Sequence, residues 1–202
     1  MGTGRIALPL TRSGVAVDGI ELSQDMVDRM REKPGGDEVN VTIGDMSRVG
    51  TGRSYGLVYL VFNTIGNLLT QDDQVRCFEN VASHLTDDGG SSWSAGYRPH
   101  PLGPVISSSM PRVSVWITSR WTCVDTTPSR RSSTRTTSAS VPTASLSVPS
   151  VFAWLTPPEF DLMARIAGLR LRNRWGGWRE EPFDSTSWRH ISVYERAMAQ
   201  PE

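Results

Sequence analysis

The sequence predicts an α/β chain built on a mostly parallel sheet and finished by one helix and an antiparallel strand pair. Three observations carry this. Residues 1–21 run as a glycine turn, a helix and a strand that ends in an acid. Two further apolar runs, 39–43 and 57–62, read as strands, the second of them continuously apolar as a buried parallel strand is. Near the end, a capped helix at 156–167 precedes two strand-like runs, of which 190–194 alternates in character.

The opening stretch organises the rest. Gly2 and Gly4 let the backbone bend tightly and approach a ligand closely. Ile6 to Leu10 is apolar and starts a helix, Gly14 ends it in a left-handed conformation, and Val15-Ala16-Val17 resumes as strand. Glu21 follows Gly4 by 17 residues, a distance at which a carboxylate can accept both hydroxyls of a ribose. Glycines alone mean a structural turn. Glycines with the acid at this spacing point to a nucleoside-containing ligand, either a dinucleotide or S-adenosylmethionine.

Two stretches discriminate between these. The 39–43 run leads into Gly44-Asp45-Met46, and Leu60-Val61-Phe62-Asn63-Thr64 leads toward Leu68-Leu69. With Gly2-Thr3-Gly4-Arg5, Gly19-Ile20-Glu21, Ser23 and Met26, these residues resemble the class I S-adenosylmethionine-dependent methyltransferases, in particular the small soluble ones acting on small molecules. The likeness covers 2–90 and again about 151–195. It implies a Rossmann-like sheet and S-adenosylmethionine as cofactor. It places Gly2 and Gly4 at the methionyl part, Glu21 at the ribose, and Asp45 and Met46 at the adenine, with Thr3, Leu22 and Phe62 also on the cofactor. A nicotinamide-dependent oxidoreductase is the rival enzyme, but it gives no reason for Gly-Asp-Met or Phe-Asn-Thr at these places.

The 202 residues suit one domain, and the formal net charge of zero implies no nucleic acid or other polyanion as partner. Cys77 and Cys123 have no metal-site spacing. No apolar run reaches the ~18 residues of a membrane span, and the N-terminus lacks the regions of a signal peptide, so a cytoplasmic location is expected.

Along the chain, Ser23 caps a helix at 24–32, Pro34 to Asp37 turns, and Thr70 caps a helix whose apolar face holds Val75, Phe78, Val81, Ala82 and Leu85. Asp87-Asp88-Gly89-Gly90 reads as the turn into a fifth strand. Met1 falls inside the glycine loop, whereas the family's pattern has a strand, an acid and a glycine ahead of it. The expectation is therefore a sheet without its first strand, with the matching sequence encoded upstream.

Ser91–Ser150 changes character. It holds 24 serines and threonines, seven prolines and one acid, Asp125. It also contains Trp93, Trp116 and Trp121, which disordered linkers avoid. Read one base out of frame with GC-rich codons, 90–98 becomes an apolar run ending in an acid, and 113–129 becomes an alternating strand. The expectation is a segment translated out of frame that disrupts the fifth strand, with a Ser/Thr/Pro-rich disordered insert as the alternative. The domain then comprises 1–90 and 151–196. A non-catalytic or unstable remnant of such an enzyme is the functional alternative.

Methyl transfer from a sulfonium is an in-line displacement that needs positioning more than a nucleophile. Asn63, after the fourth strand, is the candidate for the acceptor side, against a reading as a strand-end cap. His84 at a helix C-terminus, His190 at a strand start and Cys77 in a helix read as structural. Trp175 and Trp178 read as packing, or as an aromatic wall over an acceptor. The acceptor, its reacting atom and the oligomeric state are not legible.

Overall fold

A computed structural model describes residues 1–96, 153 and 155–197. All of them belong to one of the chain's two compact units, the one spanning Met1–Pro104 and Val151–Glu202. The element order is α1 (Ala7–Arg12), β1 (Asp18–Glu21), α2 (Gln24–Arg31), β2 (Asn40–Ile43), β3 (Tyr55–Leu60), α3 (Gln71–Ser83), β4 (Leu85–Gly96), α4 (Pro157–Ile166), β5 (Leu169–Trp175) and β6 (Arg189–Arg196). The strands form two sheets. β1 and β2 pair in parallel, and β3-β4-β6-β5 form the other, with β3 parallel to β4 and both β4 and β5 antiparallel to β6. No strand among the described residues joins β1 to β3.

The helix starts follow their caps. The Ser23 side chain accepts from Met26 N, Thr70 from Asp73 N, and Thr156 and Glu159 form a reciprocal capping box. Strand boundaries differ from the sequence-based expectation for local reasons. Val15–Val17 does not join β1, because Gly14 turns left-handed at φ 83 and Val15 N bonds back to the Leu10 carbonyl, spending that segment on closing α1. β3 covers 55–60 rather than 57–62. Tyr55 N pairs with the His84 carbonyl at its start, and Phe62 and Asn63 both take φ 58 beyond its end.

The expected disruption of the fifth strand is corrected at its start. β4 continues through Ser91–Gly96, hydrogen-bonded on both edges. Composition concealed an alternation: Ser91, Trp93 and Ala95 point into the core, and Ser92, Ser94 and Gly96 are half-buried. Trp93 stacks on Phe78 with ring centroids 3.9 Å apart, and its indole N–H donates to Ser91 Oγ at 3.1 Å. The expected turn at 87–90 is instead a bulge within β4. The register moves from Tyr55↔Leu85 to Leu57↔Gly90, two steps on β3 against five on β4. The rest of the expectation for 91–150 lies outside the described residues.

Two cores result. The larger lies between the four-stranded sheet and helices α3 and α4, around Phe78, Trp93, Phe160 and Tyr194. The smaller consists of Ala7, Leu8, Met30 and Val39, with Met1, Val17 and Val41 packed against it.

Candidate cofactor site

Parallel pairing with Glu21 opposite Ile43 brings the C-terminal ends of β1 and β2 side by side. Glu21-Leu22 and Gly44-Asp45-Met46 therefore leave the sheet on one edge, where ligands bind in open α/β sheets. The glycine loop is fastened to this edge. Gly2 N donates to Glu21 Oε2 at 2.6 Å, and Leu22 N and Ser23 N donate to Oε1 at 3.1 Å each. The terminal ammonium of Met1 lies 3.3 Å from Oε2. Burial pushes the Glu21 carboxyl up, but the Gly2 amide, the ammonium and the Ser23 amide outweigh it and hold the carboxyl below its usual value.

The two expected loop glycines do different work. Gly4 is buried at φ 77, and a Cβ there would stand 2.7 Å from Met30 Cγ and 2.9 Å from Leu8 Cγ. It lets the loop settle onto α1 and α2. Gly2, at φ 64, has nothing within 4 Å of that position, so open space lies beside the backbone. Thr3 offers its carbonyl to Lys33 Nζ at 2.7 Å.

Asp45 Oδ1 accepts from Ser47 N and Ser47 Oγ at 2.8 and 2.9 Å, while Oδ2 lies 4.0 Å from Arg48 Nε. Met46 is half-buried against the larger core, and Leu22 is 74% exposed on the neighbouring strand end. Phe62 and Asn63 follow β3 as two consecutive left-handed residues, unusual for residues with a Cβ. Ser94 holds them: its Oγ accepts from Phe62 N at 3.0 Å and its carbonyl from Asn63 N at 3.1 Å. Phe62 is 52% exposed, and the Arg5 guanidinium lies 5.9 Å from its ring centroid, linking the glycine loop to this turn.

Asn63 is placed as a strand-end cap. Its Oδ1 accepts from Gly96 N at 2.5 Å. It also lines a small, half-open hollow with Ile65, Gly66, Ala95, Gly96, Ala153 and Leu155. His84 ends α3 and accepts from Thr51 N. His190 is buried beside Phe160, with Nδ1 2.8 Å from Ser192 Oγ, and burial and the Arg174 charge lower its pKa to about 4. Cys77 is fully buried, with its thiol pushed up to about 12 by burial. Trp175 ends β5, half-buried, and Trp178 lies beyond it, 53% exposed. Sequence reasoning missed Arg5, Asn80 and Ser94, whose partners are distant in the chain.

No group of His, Cys, Asp and Glu among the described residues could hold a metal ion, and no helix among them is long and apolar enough to cross a membrane.

Residues 1–89 match the methyltransferase-domain family. An 88-residue stretch is 33% identical to a dTDP-3-amino-3,6-dideoxy-alpha-D-glucopyranose N,N-dimethyltransferase from Streptomyces fradiae, covering 44% of this chain and 34% of that protein. The chain thus spans about a third of the length of that curated relative. Among solved structures, the CcbJ methyltransferase from Streptomyces caelestis matches with a TM-score of 0.71 at 24% identity, over 97% of this chain and 80% of that one. The glycopeptide N-methyltransferase MtfA complexed with S-adenosyl-L-methionine matches with a TM-score of 0.61 at 14% identity, over 96% and 83%. The fold is the Rossmann-like fold of class I methyltransferases. The expected dinucleotide alternative finds no counterpart among these.

Proposed function

We propose that the chain transfers a methyl group from S-adenosylmethionine to a small molecule. The observation that carries this is the tie between the glycine loop and the first strand end. Gly2 N donates to the Glu21 carboxylate on the same edge from which Asp45 and Met46 emerge. When bound, S-adenosylmethionine supplies a methyl group on a positive sulfur, so the protein has mainly to bind, orient and shield.

The residues present fit that task. Open space beside Gly2 gives room for the methionyl part next to Thr3 and Gly4. Glu21, its carboxyl held below its usual value, is an acceptor for ribose hydroxyls, with exposed Leu22 beside it. Asp45, its side chain 43% exposed and its Oδ2 no nearer than 4.0 Å to Arg48 Nε, has acceptor capacity for an adenine amino group, and Met46 and Phe62 supply apolar surface. Asn63 stands on the acceptor side, where it fixes the end of β4 through Gly96. The named relatives act on an amino sugar nucleotide and a glycopeptide as N-methyltransferases. An amine-bearing small molecule is therefore the acceptor to try first, and a cytoplasmic setting belongs to the same reading.

A second reading, a chain that binds the cofactor without turnover, is favoured by one observation. β1 and β3 lie in separate sheets, so Glu21 and Asp45 are not held on one continuous ladder with Asn63. Calorimetric titration with S-adenosylmethionine and with NAD tests the first reading, and tighter binding of NAD rejects it. Transfer of labelled methyl to a panel of small amines separates the two readings: binding without transfer to any of them supports the second.

A further inference from the structure

Asn80 and His84 stand one turn apart on the C-terminal part of α3, and both grip the loop that follows Asp45 and Met46. Asn80 Nδ2 donates to the carbonyls of Met46 and Val49, at 2.9 and 3.0 Å. His84 Nε2 accepts from Thr51 N at 3.0 Å. A backbone N–H can only donate, so the ring proton sits on Nδ1 and is given to the Asn80 carbonyl, 2.7 Å away. The loop also closes on itself. Arg48 N and Val49 N donate to the Asp45 carbonyl, and Arg48 reaches Asp73 of α3 at 3.3 Å.

The smaller core cannot do this work. It ends, on the β2 side, with Val39 and Val41, short of Asp45. Between Asp45 and Thr51 only Ser47 is fully buried, and its own polar atoms are spent on Asp45. The position of Asp45 and Met46 is therefore set from the side of α3, by its directional bonds to the loop together with the packing of Met46 against the larger core. We infer that Asn80 and His84 are positioning residues for cofactor binding, holding Asp45 and Met46 at the edge where the adenine is received. The inference rests on the S-adenosylmethionine reading above.

The test uses the full chain with S-adenosylhomocysteine as probe, read by calorimetry and by amide hydrogen exchange. Asn80→Leu removes both donors at similar volume, His84→Leu removes the acceptor, and His84→Gln returns an acceptor oxygen near the place of Nε2. Each leucine variant is expected to weaken S-adenosylhomocysteine about tenfold, the consequence of one or two unmade bonds. Exchange accelerates over 47–51 and stays unchanged over 2–5. His84→Gln recovers most of the affinity, which a general loss of stability would not do. Leucine variants that bind as the unmodified chain does, or a glutamine variant no better than leucine, overturn the positioning role. An unmodified chain that ignores S-adenosylhomocysteine overturns the cofactor reading instead. If Asn80→Leu fails to fold, the His84 pair decides.

Discussion

The two parts of the described chain are packed very differently. Around the four-stranded sheet, fourteen buried residues form one cluster with stacked and edge-on aromatic rings. Around β1 and β2, the cluster is four residues. Yet most residues with a candidate role at the cofactor lie on the lightly packed side, Met46 and Phe62 being the exceptions. The difference teaches where this chain puts its rigidity. Ligand-contacting segments come from the low-stability end of a structure, and here directional polar bonds do what apolar packing does elsewhere. Glu21 gathers three backbone amides, Asp45 takes both donors of Ser47, and α3 grips the following loop.

The comparison breaks if equal insults to the two cores cost the same. Phe78→Ala empties the centre of the larger cluster and is expected to cost about 3–5 kcal/mol in urea unfolding, abolishing a cooperative transition in a marginal chain. Met30→Ala, in the smaller cluster, is expected to cost about 2–3 kcal/mol and leave the larger core's transition in place. Loss of the whole transition on Met30→Ala would show one indivisible core.

The glycine loop sharpens the contrast at smaller scale. Gly4→Ala combines a left-handed backbone with a clash against Met30 and Leu8, for a loss of about 2–3 kcal/mol. Gly2→Ala meets no neighbour, so its stability loss stays near ~1 kcal/mol. Its larger effect should be on S-adenosylmethionine affinity, which calorimetry on the two variants would read separately.

Acid separates the two parts by pH window. The folded pKa of His190, about 4, lies below its usual 6.5. Between these values the unfolded chain binds a proton that the folded one refuses, so stability falls as pH drops from 6.5 toward 4. Glu21 is also lowered, from 4.5. Its contribution is present above 4.5 and is lost only as pH falls below that through the folded value. Melting temperatures from pH 4 to 7 should therefore show a slope that His190→Gln removes and Glu21→Gln leaves. The smallest effect expected is Thr156→Ala, which opens the capping box of α4 for about 1 kcal/mol of melting stability.

Much of this was legible in the sequence. The loop, helix and acid-ending strand at 1–21, the caps at Ser23, Thr70 and Thr156, and the helix-plus-strands ending all follow from local rules that act within a few residues. What was not legible depends on partners far away. β4 continues past Gly90 because β3 and β6 supply ladders on both edges and Phe78 receives Trp93, while serine-rich composition argued for a break. The left-handed pair Phe62-Asn63 is held by Ser94, and the grip of Asn80 and His84 on 46–51 spans more than thirty positions. Asn63 could be read from the sequence as a cap or as a contact on the acceptor side, and its bond to Gly96 adds the capping partner, 33 positions away, that no local rule supplies.

The central claim is that the cofactor binds on the lightly packed side and is held there by polar bonds. Hydrogen exchange with and without saturating S-adenosylhomocysteine tests this most directly. The account predicts new protection at 2–5, 21–23 and 45–51, with β5 and β6 unchanged. Protection confined to the four-stranded sheet, or none at any concentration, would contradict it.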